Sequence, residues 1–339
     1  MKKIIVTASA LFAAFAFQRQ GFAQIREVQS VSGPVCERAP LPITFNANIE
    51  NFSRTQAYWS MWFAYALEHK YADIQKLMIE VGVEDYRIVR HRMLGVQALV
   101  ARVDGQVIVG FRGTRDIRDI IEDFRFAPAS AKKIGLPGKV HSGFIDNFSR
   151  VWKETRRNAM DLGAAEAGVW LTGHSLGGAL ASLAAFKFSD EGVRVHSVYA
   201  FAQPNPGDAA FSAAYNARLG DRTFVFRLPR DIGGHIPPVA EAAEAFAGAT
   251  PRFLDAIFRA WVKNINYRHV GSAWLLSLNG TMSPILDRVQ ADRDFYNRIR
   301  LENANGTLPT VLASNPSYLS QHEPGNYHCA MKTVWLSAQ

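Results

Sequence analysis

The stretch "VWLTGHSLGGALASLAAF", residues 169–186, decides the fold prediction for this chain. It begins with apolar residues typical of a strand, turns through a glycine-rich corner, and continues in small residues typical of a buried helix. Ser175 stands at the corner, with Gly173 and Gly177 two residues to either side. A G-x-S-x-G corner between a strand and a helix is typical of a nucleophile elbow, which lifts the serine hydroxyl clear of the sheet. The stretch therefore predicts an activated serine at a strand–helix junction.

The segments around this corner alternate between strand and helix patterns. Residues 97–114 predict two strands about an Asp104–Gly105 turn, and later runs predict strands at 168–172, 194–202 and 223–228 and a helix at 177–189. Residues 54–69 are apolar on nearly every side and predict a buried helix, whereas residues 291–326 are polar and predict a loop-rich region. The alternation predicts a mostly parallel sheet in one α/β domain, residues 24–339.

The first 23 residues have the composition of a secretory signal peptide. Lys2 and Lys3 precede an apolar run from Ile4 to Phe17, and cleavage is expected after Ala23. This run is shorter than a bilayer span requires, so we expect an exported protein, either extracellular or periplasmic. Removing the leader lowers the formal net charge from +8 to +5, because it carries Lys2, Lys3 and Arg19 and no acid. Without a dense basic cluster, this excess predicts no nucleic-acid partner.

The chain has only two cysteines, Cys36 and Cys329. In an exported protein, an even pair predicts a disulfide, which here would join the N-terminal arm to the C-terminal segment. Two free buried thiols are the alternative. A metal site is not expected, because neither cysteine has a second metal-binding side chain at ligand spacing apart from His328.

Several segments, in order, are similar to those of one known family. "GHSLGGALA" resembles the elbow of the class 3, or fungal-type, lipases. "VIVGFRGT", "DIRDIIEDFRF" with "KVHSGF", "YAFAQPNPGD" and "YRHVG" are similar to further family segments, over roughly residues 55–275. The resemblance implies an α/β-hydrolase fold and ester hydrolysis through a Ser-His-Asp triad.

A serine hydroxyl needs a base to take its proton and an acid to orient that base, and in this fold the acid follows the serine. Asp231, in "TFVFRLPRDIGGHIPP", matches the acid at the end of a strand in the family. The match is imperfect, since Gly233 and Gly234 stand where the family often has valine-proline. Asp208 is the alternative acid, in a turn where aspartate commonly caps a helix.

Three later histidines compete for the role of base. "QHEPGNYHCAM" resembles the family's late histidine loop, in which the histidine precedes a tyrosine. His322 before Tyr327 fits this order and is the first choice, and His328, beside Cys329, is the second. His269 lies in "YRHVG", a segment that the family uses structurally.

The resemblance also assigns the oxyanion hole and a lid. The backbone N–H groups of Leu176 and Thr114 are expected to bind the oxyanion, although Thr114 also suits the end of an ordinary strand. In "DIRDIIEDF" the apolar residues share one helical face, which predicts either a lid or a helix docked on the core, and its position after Thr114 favours a lid: Ile117, Ile120, Ile121, Phe124.

A second apolar stripe follows Asp231, in "PRFLDAIFRAWVK": Phe253, Leu254, Ile257, Phe258, Trp261. We expect it to pack in the core, and a wall for the acyl chain or a lipid contact is the alternative.

Together these features predict an exported serine hydrolase that cleaves carboxylic esters of lipids, with no metal or organic cofactor. Action at a lipid–water interface and action on dissolved substrate are both open. An sn-1 phospholipase or galactolipase and an esterase for short or aromatic acyl groups are the alternatives of the same class. A catalytically inactive binding protein on the same fold is the alternative from another class. The sequence does not predict the oligomeric state.

Overall fold

The computed structural model describes residues 36–37, 43–49, 51–83, 85–91, 97–114, 127–248, 255–302 and 315–337. The predicted signal peptide, residues 1–23, lies outside these ranges. Among the residues that are described, no helix combines the length and the apolar character that crossing a bilayer requires.

An eight-stranded sheet forms the centre of the fold. Its strands, in spatial order, are β1 (Asp85–Arg90), β2 (Gln97–Val103), β3 (Gln106–Phe111), β6 (Val169–His174), β7 (Val195–Phe201), β9 (Thr223–Arg227), β11 (Ser272–Leu276) and β12 (Met282–Ile285). The five neighbouring strands β3, β6, β7, β9 and β11 run parallel, and antiparallel strands flank them on both sides. A second, antiparallel sheet has the order β10-β8-β5-β4, formed by Tyr267–Arg268, Gly207–Asp208, Lys139–His141 and Pro128–Ser130.

Helices cover both faces of the central sheet because its parallel strands are apolar on both sides. The helices are α1 (Arg54–Ala66), α2 (Tyr71–Glu80), α3 (Ser142–Asp161), α4 (Ala164–Ala167), α5 (Leu176–Asp190), α6 (Ala209–Leu219), α7 (Ala243–Gly248), α8 (Asp255–Ile265), α9 (Arg288–Glu302), α10 (Ser317–Ser320) and α11 (Pro324–Leu336). Val100, Val109 and Leu171 pack on one face with α3, α5 and α6, whereas Leu99 and Ile108 pack on the other with α1, α2 and α11. This three-layer arrangement confirms the predicted α/β fold.

The disulfide predicted from the cysteine count is present. Cys36 and Cys329 are bonded, with their Cα atoms 5.4 Å apart and a sequence separation of 293. Cys329 lies in α11, which packs against α1. The disulfide therefore ties the N-terminal arm to the helix that follows the His322 loop.

The prediction of a loop-rich region over residues 291–326 is wrong for its first part. Residues Arg288–Glu302 form the regular helix α9. Its buried face is made by Asp292, Phe295, Tyr296 and Ile299, which have the i, i+3, i+4, i+7 spacing of an amphipathic helix. The first residue of this buried face is an aspartate. Because a charged residue is not counted as apolar, the helical spacing was not recognised in the sequence.

Candidate active site

Ser175 lies at the carboxyl end of β6, between His174 and the first residue of α5. Its backbone has φ 55° and ψ −127°, a conformation that non-glycine residues rarely adopt. The Ser175 N–H donates to the carbonyl oxygen of Phe201 at 2.8 Å, which anchors the corner to the end of β7. The neighbouring strands thus hold the strained serine at the edge of the sheet where α/β folds bind ligands.

The two glycines of the corner allow close approach of neighbouring backbone. A Cβ atom on Gly173 would lie 2.2 Å from the carbonyl carbon of Gly177, and one on Gly177 would lie 2.0 Å from the carbonyl oxygen of Phe111. Both distances are shorter than any tolerated contact, so a side chain at either position would push α5 away from the sheet. The glycine spacing seen in the sequence is therefore a packing requirement of the Ser175 turn.

Three side chains that are far apart in sequence form one buried hydrogen-bonded chain. His322 Nε2 lies 2.8 Å from Ser175 Oγ, and His322 Nδ1 lies 2.7 Å from Asp231 Oδ1. The exposed fractions of Ser175, His322 and Asp231 are 2%, 6% and 0%. Because an ionised carboxylate only accepts hydrogen bonds, the proton of a neutral His322 lies on Nδ1 and its Nε2 accepts from the serine hydroxyl.

Asp231 is held by two further donors. The Tyr327 hydroxyl donates to Asp231 Oδ2 at 2.5 Å, and the Gly233 N–H donates to Asp231 Oδ1 at 2.6 Å. Burial alone would raise the pKa of Asp231, but the charge and hydrogen bond of His322, together with these two donors, lower it below its ordinary value. The carboxylate is therefore ionised at neutral pH although it is fully buried.

The loop between α10 and α11 brings His322 to the site. Its backbone N–H donates to the carbonyl oxygen of Leu319 at 3.0 Å, and its ring lies 4.8 Å from the ring of His174. Burial, followed by the charge of His322, lowers the pKa of His174 to about 3, so His174 is a neutral neighbour. A Cβ atom on Gly233 would lie 2.3 Å from His322 Cε1. The geometry thus explains why residue 233 is a glycine, since the His322 imidazole occupies the space that a side chain would need.

The other predicted acid and bases lie elsewhere. The side chain of Asp208 caps α6 by accepting from the Phe211 N–H at 3.0 Å. His328 stacks on Tyr65 with the ring centroids 4.8 Å apart, and burial lowers its pKa to about 4. His269 Nδ1 lies 2.8 Å from Asn205 Oδ1. The structure brings none of these three side chains into the Ser175–His322–Asp231 chain.

The two predicted oxyanion donors lie on segments that contact the serine corner. Thr114 follows β3, and a Cβ atom on the preceding Gly113 would lie 2.9 Å from the carbonyl oxygen of His174 and 3.4 Å from Ser175 Cβ. Leu176 is the first residue of α5, where the N–H has no partner within its own helix and the helix dipole is positive.

The predicted lid residues Ile117, Ile120, Ile121 and Phe124 lie outside the described residues. So do Phe253 and Leu254 of the second apolar stripe, and the side chains of Ile257, Phe258 and Trp261 on α8. The lid and the role of the second apolar stripe therefore remain predictions from the sequence.

A second buried carboxylate, that of Asp292, was not predicted from the sequence. Asp292 Oδ1 accepts from Arg227 Nη1 at 2.8 Å and lies 2.7 Å from His235 Nδ1, and its Oδ2 lies 3.1 Å from His269 Nε2. Burial alone would raise the pKa of Asp292, but the charge of Arg227 and the two histidines hold it well below its ordinary value. This cluster, formed by Asp292, Arg227, His235 and His269, joins α9 to the segment that follows Asp231.

No group of three or more histidine, cysteine or acidic side chains in the described ranges has the arrangement of a metal site. The Asp292 carboxylate instead forms a buried ion pair with the Arg227 guanidinium.

Known proteins resemble this chain in sequence and in fold. The family model described as Lipase (class 3) matches residues 108–241. A lipase from Rhizomucor miehei is 34% identical over 170 residues, which cover 47% of this chain and 46% of that protein. Secreted mono- and diacylglycerol lipase 1 from Fusarium solani is 29% identical over 157 residues, or 42% of this chain and 45% of that protein. The chain thus spans less than half the length of these two relatives.

The fold similarity extends further than the sequence similarity. A structure of the Rhizomucor miehei lipase propeptide complex with a two-residue deletion superposes with a TM-score of 0.55 at 22% identity, over 87% of this chain and 91% of that one. At this identity the superposition shows the fold alone. Residues 108–241 are thus similar in sequence to class 3 lipases, and the superposition shows that this chain shares their α/β-hydrolase fold.

Proposed function

We propose that this protein is a secreted lipase that hydrolyses carboxylic esters of lipids, with Ser175 as nucleophile, His322 as base and Asp231 as the acid that orients it. The observation that carries the proposal is the hydrogen-bonded chain from Ser175 Oγ to His322 at 2.8 Å and from His322 to Asp231 at 2.7 Å. The names of the relatives support lipid esters as the substrate class.

In the first half of the reaction Ser175 Oγ attacks the ester carbonyl carbon while His322 Nε2 takes the hydroxyl proton. Asp231 stabilises the imidazolium that forms, because its carboxylate is ionised and lies 2.7 Å from Nδ1. The negative charge that develops on the carbonyl oxygen is bound by the N–H groups of Leu176 and Thr114. When this intermediate collapses, the bond between the carbonyl carbon and the alcohol oxygen breaks. The alcohol oxygen takes the proton from His322 and departs, and the acyl group stays bonded to Ser175 Oγ.

In the second half, water gives a proton to His322 and its oxygen attacks the acyl carbon. His322 then returns the proton to Ser175 Oγ, which leaves as the carboxylic acid is released. Strain at Ser175 supports this assignment, since residues held in rare backbone conformations cluster at functional sites.

Secretion belongs to the same proposal, with residues 24–339 as one domain after cleavage of the leader. The Cys36–Cys329 disulfide supports it, because disulfides persist in oxidising compartments. The Fusarium solani relative, which is named as secreted, supports it too.

The test is hydrolysis of a p-nitrophenyl ester series from acetate to palmitate, with emulsified tri-, di- and monoacylglycerols beside it. We expect activity that rises with chain length in the wild-type protein and falls to background in Ser175→Ala. Activity confined to acetate and butyrate would favour the short-chain esterase, and release of fatty acid from phospholipid or galactolipid alone would favour those substrates. Full activity in Ser175→Ala would contradict the proposal.

A further inference from the structure

Glu68 is a partly buried acid beside the proposed oxyanion hole, and the mechanism above gives it no role. It lies two residues beyond the end of α1, and its side chain is 16% exposed. Burial raises the pKa of Glu68, although Arg112 and the Gly113 N–H act in the opposite direction. An acid in this setting is costly to bury unless its oxygens are bonded, so its partners indicate what it does.

Both carboxylate oxygens of Glu68 are bonded to the segment that leads from β3 to Thr114. Oε1 accepts from the Gly113 N–H at 3.0 Å, and Oε2 accepts from Arg112 Nε at 3.3 Å. Arg112 Nη2 also donates to the backbone carbonyl oxygen of Glu68 at 3.1 Å. Three hydrogen bonds therefore join the end of α1 to two consecutive residues immediately before Thr114.

The same segment also contacts the nucleophile. A Cβ atom on Gly113 would lie 3.3 Å from Glu68 Oε1 and 3.4 Å from Ser175 Cβ, so the Gly113 backbone packs against both the Glu68 carboxylate and the serine corner. A shift of this backbone would move the Thr114 N–H relative to Ser175. Catalytic donors lose much of their effect when they are displaced by about 1 Å.

Charge at this position also matters. An unpaired carboxylate so close to Ser175 would repel the oxyanion that forms during ester hydrolysis. The Arg112 guanidinium is 7% exposed and bonded to Glu68, and it offsets that charge. The pair thus holds the segment in place without adding net charge to the site.

We propose that Glu68 is a positioning residue that fixes the Arg112–Thr114 backbone, and with it the Thr114 oxyanion donor, against the Ser175 turn. This inference rests on the proposed function, because it assigns Glu68 a part in the same ester hydrolysis.

The first test is steady-state kinetics of Glu68→Ala and Glu68→Gln. We expect Glu68→Ala to lower kcat by about 10- to 100-fold with KM changed less than about twofold, because a displaced oxyanion donor acts on the transition state alone. Glu68→Gln keeps an oxygen acceptor for the Gly113 N–H, and we expect it to recover most of the lost kcat. Equal losses in both variants, or a Glu68→Ala kcat within about twofold of wild type, would overturn the proposal.

Glu191→Ala is the matched control. Glu191 also follows a helix end, at the C-terminus of α5, and it pairs with Arg156 on the surface. It has no contact with the Arg112–Thr114 segment, so we expect it to leave kcat unchanged. A loss of kcat in Glu191→Ala equal to that in Glu68→Ala would mean that breaking any such pair lowers activity, and it would overturn the assignment.

Hydrogen exchange separates this inference from the proposed function. In Glu68→Ala the Gly113 amide loses its acceptor, so we expect exchange in residues 106–114 to accelerate at least tenfold, with wild-type rates in Glu191→Ala. This readout does not need ester hydrolysis. Faster exchange in a protein that hydrolyses no ester would refute the function and leave the backbone positioning in place, whereas unchanged exchange would overturn the role of Glu68 whatever the activity.

Discussion

Two fully buried aspartates, Asp231 and Asp292, have nearly the same first neighbour and serve different ends. Each has a histidine Nδ1 at 2.7 Å, His322 for the first and His235 for the second. Beyond His322 lies the Ser175 hydroxyl at 2.8 Å, whereas the His235 ring is stacked on Phe295 with the centroids 3.8 Å apart. The two carboxylate–imidazole pairs thus differ in what lies beyond the imidazole, and under the proposed function only the pair that reaches Ser175 takes part in catalysis.

The charge partners differ in the same sense. Asp292 is paired with Arg227, a permanent cation that is 1% exposed, so its charge is already compensated in the resting protein. Asp231 has only neutral donors besides His322, namely the Tyr327 hydroxyl and the Gly233 N–H. In the proposed mechanism, its charge is thus left to stabilise the imidazolium of His322. The comparison teaches that one pair is arranged for stability and the other for a transient charge.

The sharpest test of this comparison substitutes the two aspartates separately. We expect Asp231→Asn to lower kcat by about 10⁴-fold, since His322 loses its orienting anion. Asp292→Asn should leave the kcat of the folded protein within about threefold of wild type and lower the free energy of unfolding by about 3–5 kcal/mol, because Arg227 loses its buried partner. Kinetics and urea unfolding of both variants measure this, and a large loss of kcat in a folded Asp292→Asn would break the distinction.

A methyl group at Gly233 tests the space that His322 needs. Because a Cβ atom there would lie 2.3 Å from His322 Cε1, Gly233→Ala should displace the imidazole and lower kcat by about 100-fold. Gly248→Ala is the control, since the nearest atom to its Cβ is 3.6 Å away on Arg300, and we expect wild-type kinetics. A wild-type kcat in Gly233→Ala would show that the His322 imidazole keeps its catalytic position beside an alanine side chain, and it would contradict this prediction.

Two buried tyrosines allow a matched test of the hydrogen bonds to each cluster. Tyr327 donates to Asp231 Oδ2 and its hydroxyl accepts from the Leu228 N–H at 3.0 Å, whereas the Tyr296 hydroxyl donates to the carbonyl oxygen of His235 at 2.5 Å. We expect Tyr327→Phe to lower kcat by about 3- to 10-fold and Tyr296→Phe to leave kcat unchanged while lowering stability by about 1–3 kcal/mol. The reverse pattern in kcat would contradict the assignment.

The last prediction concerns stability against pH and leaves kcat aside. Burial, reinforced by the charge of Arg288, lowers the pKa of His269 to about 3, from 6.5 for an ordinary histidine. The unfolded chain therefore binds a proton that the folded protein excludes, and stability falls as pH decreases from 6.5 towards 3. His269→Gln should flatten the curve of unfolding free energy against pH between pH 6 and 4 by about 1.4 kcal/mol per pH unit. An unchanged slope would mean that His269 is protonated in the folded protein.

Much of the fold and part of the candidate site could be predicted from the sequence, because the serine corner and the hairpin follow local rules. The elbow at Ser175 needs a strand, two glycines and a helix in one short stretch, and the hairpin about Asp104–Gly105 has its own turn signal. Asp231 and His322 required the order of residues in a known family, since no local pattern marks them. The structure places His322 within hydrogen-bond distance of Ser175, and Asp231 within hydrogen-bond distance of His322.

The rest could not be predicted because it depends on contacts between distant segments. Asp292 lies in a polar stretch of the sequence, and its charge partner Arg227 comes 65 residues earlier. Glu68 lies in a stretch that is apolar on nearly every side, and its hydrogen bond to Gly113 spans 45 residues. The spacing of Asp292, Phe295, Tyr296 and Ile299 is that of one helical face. A search for helical periodicity that allows one acidic residue on the buried face would have found this helix.

The most direct test of the central claim is covalent labelling by an alkyl p-nitrophenyl phosphonate, followed by peptide mass spectrometry. If His322 activates Ser175, Ser175 Oγ bonds to phosphorus and one equivalent of p-nitrophenolate leaves. The account predicts a single label on Ser175 in the wild-type protein, none in Ser175→Ala, and much slower labelling in His322→Ala. An unlabelled wild-type protein, or a label on another residue, would contradict it.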